Sequence, residues 1–257
     1  MTTESLARCD VLIISPHTDD AEIGLGGTIR LLANRGRNVW ALDLTAGELG
    51  TNATADERWR EAERASVILG LSGRVQLRLP DGFIDSRDAG QAGQVAAILR
   101  RVCPRWVITA PDPVRHPDHI ETPALVRKAV YLSRLRSWQP ELGERRLWAE
   151  GGDLPEPESK WIVDTVASVS GDCESPSMLF DVGDVWQAKT AALACYGSQF
   201  GRTDGQITTA INDPAFLEKI ERRARTWGRI AGVELAEAVS CSAVPVLRDL
   251  PSERWQK

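Results

Sequence analysis

The strongest constraint in this chain is an alternation of short apolar runs with stretches of helical periodicity. VLIIS (Val11 to Ser15), with a β-branched bias, VWALDLT (Val39 to Thr45), VQLRLP (Val75 to Pro80) and WVITA (Trp106 to Ala110) are short and read as strands. Ile23 to Asn34, Asp56 to Leu69, Gln91 to Val102 and His119 to Leu135 read as helices, with Gly36, Gly70 and Pro104 as stop signals. Strands separated by helices pair in parallel, because a parallel connection needs a crossover, and right-handed crossovers bring helices onto both faces. The expected fold is therefore α/β: a Rossmann-like, mostly parallel sheet flanked by helices on both faces. The alternation breaks after residue 137. Residues 138–160 carry many Pro, Gly and Glu residues and read as a long excursion. Beyond it, WIVDTV (Trp161 to Val166) and MLFDV (Met178 to Val182) are expected strands, and Trp186 to Tyr196 and Pro214 to Trp227 expected helices. We expect residues 1–137 to form the core and residues 138–257 a helix-rich C-terminal extension packed on it, in one domain overall. At 257 residues, 42% of them apolar, the chain can bury such a core without a disulfide or metal staple.

In open parallel sheets, ligands bind outside the carboxyl ends of the strands, where the strand order reverses. The chain has three histidines, and all three follow strands. His17 lies just past the first strand; His116 and His119 lie just past the fourth. SPHTDDAEIG (Ser15 to Gly24) sets His17, Asp19 and Asp20 on a strand-to-helix loop. Two adjacent carboxylates repel each other in a confined turn, and a divalent cation compensates them. RHPDHIET (Arg115 to Thr122) sets His116 and His119 three residues apart, with Pro117 suited to a first helical turn. Each motif alone has a plainer reading. Asp19 or Asp20 suits a helix N-cap, and histidines at a helix start are ordinary surface residues. Together the motifs favour a metal site, and imidazole plus carboxylate donors suit zinc. Three protein ligands with a fourth position left to water mark a catalytic rather than a structural zinc site.

GLGGT (Gly24 to Thr28) invites a dinucleotide-binding reading, but Ile29 stands where GxGxxG needs glycine, and HTDD would repel a pyrophosphate. These glycines are better suited to bringing a helix close to the sheet. LTAGELGTN (Leu44 to Asn52) is loop-like and can reach the same sheet edge, with Gly47 and Gly50 permitting tight turns. Arg58 follows; it is either an ordinary surface arginine or a group that holds a carboxylate or hydroxyls by paired hydrogen bonds. A net charge of −5 argues against a nucleic-acid partner. No apolar run approaches the ~20 residues of a membrane span, and MTTESLARCDVLIIS lacks the pattern of a signal peptide. The cysteines, Cys9, Cys103, Cys173, Cys195 and Cys241, are odd in number, widely spaced and without a CxxC pair. Neither a disulfide framework nor a thiolate zinc site is expected, most of the cysteines are expected to be buried, and the expected compartment is the cytoplasm.

PHTDDAEIGLGGTI, LTAGELGTN followed by Arg58, LPDG (Leu79 to Gly82), RHPDH and YGSQF (Tyr196 to Phe200) together resemble the LmbE-like, or PIG-L, family of zinc-dependent N-acetylglucosaminyl deacetylases. The resemblance covers nearly the whole chain, and the pairing of PHxDD with a later HPDH is its most specific part. Thr18 stands where the family usually has proline, and Trp138 to Lys160 does not align. The resemblance implies that His17, Asp20 and His119 hold Zn2+, leaving other divalent transition metals open. It implies Asp19 as general base and His116 as the group that stabilises the tetrahedral intermediate and protonates the leaving amine. Asp118 would tune His116, Tyr196 would contact the oxyanion, and Arg58 with Glu48 would bind substrate. The implied reaction is removal of acetate from a small-molecule N-acetylglucosaminyl conjugate. The chain looks most like the bacillithiol-biosynthesis branch, which acts on N-acetylglucosaminyl malate. Mycothiol-type conjugates, chitooligosaccharides, antibiotic precursors and a non-catalytic sugar-binding role are the alternatives. A homo-oligomer, often a hexamer, is implied as well.

Overall fold

The computed structural model describes residues 8–109, 116–149, 152–170, 175–201 and 206–242. Ala110, Arg115 and Cys173, which the sequence motifs include, lie outside the described residues, as does the chain start through residue 7. Among the described residues the strands are β1 (Cys9–Ser15), β2 (Val39–Thr45), β3 (Gly73–Leu79), β4 (Pro104–Thr109), β5 (Arg145–Ala149), β6 (Thr165–Val169), β7 (Met178–Asp181) and β8 (Ala236–Ser240). The helices are α1 (Asp20–Asn34), α2 (Ala55–Leu69), α3 (Ala89–Val102), α4 (Pro117–Leu132), α5 (Trp186–Ala194), α6 (Gly197–Phe200) and α7 (Pro214–Ala231).

All these strands join one sheet in the order β5-β3-β2-β1-β4-β6-β8-β7. The central β3, β2, β1, β4 and β6 run parallel, while β5, β8 and β7 pair antiparallel to their neighbours. β1 pairs with β2 on one side and β4 on the other, so Val11 lies opposite both Val39 and Trp106. This is the point where strand order reverses, and the chain leaves both β1 and β4 at the same edge. Alternate residues of the apolar strands feed two cores. Leu12, Ile14, Leu42 and Val75 pack with Val95, Leu99, Leu125 and Val126 of α3 and α4. Val11, Ile13, Val39 and Ala41 pack with Leu25, Ile29, Ala65, Leu69 and Ala192 of α1, α2 and α5. Period-2 alternation into two apolar layers is what places helices on both faces.

The sheet is wider than expected. Besides the two expected strands, which are β6 and β7, residues 138–257 supply β5 and β8, extending the sheet at both edges. β5 lies inside the segment read as an excursion. Its sequence RRLWA opens on two arginines and is half-exposed throughout, as an edge strand is, so no apolar run announces it. β6 starts at Thr165 rather than Trp161, and β8 went unanticipated because Glu237 interrupts its apolar pattern. α1 and α4 begin earlier than expected, because their first turns carry the polar residues of the two motifs. α5 ends at Ala194, leaving Tyr196 between it and the short α6. The GLGGT glycines bring α1 close to its neighbours: a Cβ on Gly27 would lie 2.7 Å from Val182 Cβ. Cys9 and Cys103 are buried and Cys195 and Cys241 half-buried. No helix among the described residues is long and apolar enough to cross a membrane.

Candidate metal-dependent active site

The loop between β1 and α1 and the start of α4 bring all three histidines together. The His17 and His119 ring centroids are 5.3 Å apart, and those of His17 and His116 4.7 Å. Asp20 Oδ2 lies 3.3 Å from His17 Nδ1 and 3.3 Å from His119 Nε2. A tetrahedral zinc with bonds near 2.0–2.1 Å has ligand atoms roughly 3.3 Å apart, so these separations are those of a ligand set. His119 Nδ1 is buried without a hydrogen-bond partner among the described residues.

The electrostatics also fit a cation. Burial disfavours the His17 imidazolium, yet Asp118, Asp20 and Asp81 outweigh burial and push its pKa up to about 12. His119 rises too, with Asp20 overcoming the opposing effect of burial. Burial works against the Asp20 carboxylate, but His119 and His17 hold its pKa well below the usual carboxylate range. The cluster draws positive charge to one point, and the donor set of two imidazoles and a carboxylate suits zinc.

Asp19 stands beside this set. It occupies the N-cap position of α1, but its side chain makes no cap hydrogen bond, so the plain capping reading fails. Its φ of 116° is a conformation non-glycine residues rarely adopt, and strain of this kind persists only where the surroundings over-determine it. Burial pushes its carboxyl up to about 7, against the attraction of Arg58.

Arg58 is buried rather than a surface arginine: Nη2 donates to Thr18 O at 2.8 Å and to Asp19 Oδ2 at 3.2 Å. The guanidinium fits because Gly47, at φ 65°, has no side chain; a Cβ there would overlap Arg58 Nη1. Arg58 thus orients Asp19. Glu48, exposed on its loop, accepts a hydrogen bond from the Asp81 amide at 2.9 Å and braces one loop against another.

Asp118 sits in the first turn of α4 with its side chain buried, and the carboxylate lies 3.2 Å from His17 Nε2 while accepting from the amides of Gly82 (2.8 Å) and Ile84 (3.1 Å). Its side-chain bonds therefore hold His17, not His116. His116 is the exposed N-cap of α4, and its Nδ1 accepts from the Asp118 amide at 3.3 Å. Burial and then His17 lower the His116 pKa, while the Asp118 charge opposes them. Tyr196 is wholly buried among core residues of the α1, α2 and α5 layer, and its Oη has no partner among the described residues.

The sequence reading missed Asp81. Its Oδ1 lies 3.2 Å from His17 Nε2, and its Oδ2 accepts from the Leu49 amide at 2.9 Å. LPDG was visible as a motif, but nothing in its spacing said that the aspartate meets a histidine 64 positions earlier.

Fold and site together define an α/β enzyme whose chemistry sits at the switch point of its sheet. The chain belongs to the PIG-L, or LmbE-like, family of deacetylases. The family description PIG-L, GlcNAc-PI de-N-acetylase, matches residues 12–130, which hold both histidine motifs. Diacetylchitobiose deacetylase of Thermococcus kodakarensis is 31% identical over 241 residues, covering 89% of this chain and 81% of that protein. A probable N-acetyl-alpha-D-glucosaminyl L-malate deacetylase 2 of Bacillus cereus is 31% identical over 121 residues, 42% of this chain and 55% of that one. The crystal structure of the conserved protein TT1542 from Thermus thermophilus matches with a TM-score of 0.77 at 33% identity, over 96% of this chain and 100% of that one.

Proposed function

We propose that this protein is a zinc-dependent deacetylase that removes acetate from an N-acetylglucosaminyl conjugate. The observation that carries the proposal is Asp19, a strained, buried carboxylate beside a His17–Asp20–His119 ligand set and outside it. A protein that only binds a sugar or a metal has no use for that arrangement.

An amide is a poor electrophile and an amine anion a poor leaving group, so three tasks must be met. Zinc held by His17, Asp20 and His119 would polarise the acetyl carbonyl and make a water a nucleophile near neutral pH. Asp19, with its pKa raised to about 7, takes the proton from the attacking water, and Arg58 holds it in place to do so. His116, exposed at the α4 N-terminus with Nδ1 accepting from the Asp118 amide, offers Nε2–H to the developing oxyanion, and the leaving amine receives the proton that Asp19 took from the water.

Within this class we place a chitooligosaccharide ahead of N-acetylglucosaminyl malate. The diacetylchitobiose deacetylase relative aligns along most of the chain, whereas the malate deacetylase relative aligns along less than half. Arg58, the residue that would have gripped the malate carboxylate, is engaged with Asp19 and Thr18. The same reading takes the working form to be a cytoplasmic homo-oligomer.

The test is acetate release from diacetylchitobiose, N-acetylglucosaminyl malate and a mycothiol-type precursor, each with and without chelator. Chelator-sensitive release restored by zinc is expected, fastest on diacetylchitobiose. Release that ignores chelator overturns the metal role, and release from none of the three overturns the deacetylase reading.

A further inference from the structure

Behind the metal loop, on the α1 and α2 side of the sheet, lies a cluster of charge that no step above uses. Arg74 of β3 is wholly buried. Its Nε and Nη2 donate to the two carboxylate oxygens of Asp43 on β2 at 2.6 and 2.8 Å, and its Nη1 donates to Glu22 Oε1 in the first turn of α1 at 2.6 Å. Glu22 and Asp43 are equally inaccessible. Glu22 Oε2, both polar atoms of the Gln76 side chain and Tyr196 Oη are also buried there, with no hydrogen-bond partner among the described residues.

Stability alone does not account for such a cluster. Replacing buried ion pairs by apolar groups of similar volume is often neutral or stabilising, and unpaired buried polar atoms carry a further cost. The position of the cluster is more informative. Glu22 follows Asp19 and Asp20 within the same turn. Asp43 lies two residues before Thr45, whose amide and Oγ1 each bond to Pro16 O at 3.0 Å, immediately before His17. One guanidinium therefore ties both arms of the loop: the start of α1 directly, and the approach to His17 through β2.

We propose that Arg74 is a positioning residue for the site, its planar fork on Asp43 and Glu22 fixing the first turn of α1 and hence the placing of Asp19 and Asp20. The fork matters because a lysine is a point charge that cannot span both partners in one fixed geometry. The proposal rests on the deacetylase reading only for its activity readout.

The test compares the wild-type chain with Arg74→Lys and with the triple variant Glu22→Gln, Asp43→Asn, Arg74→Met, which removes the charge at nearly constant volume. Four quantities are measured: the melting temperature of metal-free protein, the imidazole NMR signals of the three histidines, zinc affinity by chelator competition, and kcat and KM for acetate release. All three histidines of the chain lie at the site, so their signals report its geometry without metal or substrate. The triple variant is expected to melt no lower than wild type, yet to show shifted histidine signals, zinc affinity weakened ~10-fold or more and kcat reduced ~10-fold or more with KM nearly unchanged. Arg74→Lys is expected to shift the same signals and weaken zinc in the same direction. Wild-type histidine signals and zinc affinity in the triple variant overturn the proposal, as do losses that merely follow a fall in melting temperature. If the triple variant does not fold, unchanged signals and zinc affinity in Arg74→Lys overturn it. Absence of acetate release by wild type defeats the proposed function instead, and the histidine signals still decide the role of Arg74.

Discussion

Asp19 and Asp20 are neighbours of one residue type with different work. Asp20 Oδ2 is within ligand-set distance of two imidazoles, while Asp19 is turned away by its φ of 116° and meets Arg58. Asp19→Asn should therefore keep bound zinc and lose ~100-fold or more in kcat, whereas His119→Ala should lose the zinc itself. Metal content of the two purified variants, measured alongside acetate release, checks this; equal metal in both contradicts it. Arg58 lowers the Asp19 pKa against the upward push of burial. Removing its charge in Arg58→Met should raise that pKa further. A general base works deprotonated, so the acid limb of the kcat–pH profile should move to higher pH, and kcat near neutrality should fall more than KM changes. An effect confined to KM would return Arg58 to substrate binding.

The strand-to-helix loops set these residues, and each loop depends on backbone that side chains make room for. The loop after β2 passes Arg58 at Gly47, where φ is 65° and any Cβ would overlap the guanidinium. Gly47→Ala should displace Arg58 and lower kcat about as far as Arg58→Met does. A Gly47→Ala enzyme with wild-type kcat would show that Arg58 can hold Asp19 from another position. The loop after β3 behaves similarly: Gly82 and Ile84 donate their amides to Asp118, Asp81 reaches His17, and Glu48 braces the Asp81 amide. His17 is thus held by chain segments from three separate crossovers.

For the whole molecule, the widest span is the tie between the last strand and the first helix. Glu237 of β8 accepts from the amides of Gly27 and Thr28 and from Lys189 Nζ, and Lys189 also donates to Ile23 O. α1 departs from helical geometry at Leu25, and these side chains satisfy backbone groups around that irregularity. Lys189 and Glu237 are both buried, so Lys189→Met leaves a carboxylate without its counter-ion and should destabilise the protein by about 3 kcal/mol. Urea denaturation of the metal-free protein measures this; a change below ~1 kcal/mol would mean that the Gly27 and Thr28 amides suffice for Glu237.

The sequence by itself determined the central parallel strands, the helices between them, and the convergence of the three histidines on one sheet edge, because apolar periodicity fixes which faces are buried and short crossovers bring successive parallel strands to end at one edge; the grouping of His17, Asp20 and His119 came from the family resemblance. It left edge strand β5 hidden, since a half-exposed strand carries arginines instead of an apolar run. It left β8 hidden, since Glu237 is buried against partners 48, 209 and 210 positions away in the chain. Only the tertiary structure decided what the polar side chains face. Packing pairs Arg58 with Asp19, Glu48 with the Asp81 amide and Asp118 with His17, and buries Tyr196 in the core. A hydrogen-bond partner is chosen by distance in space, and separation along the chain carries no record of it until the chain has folded.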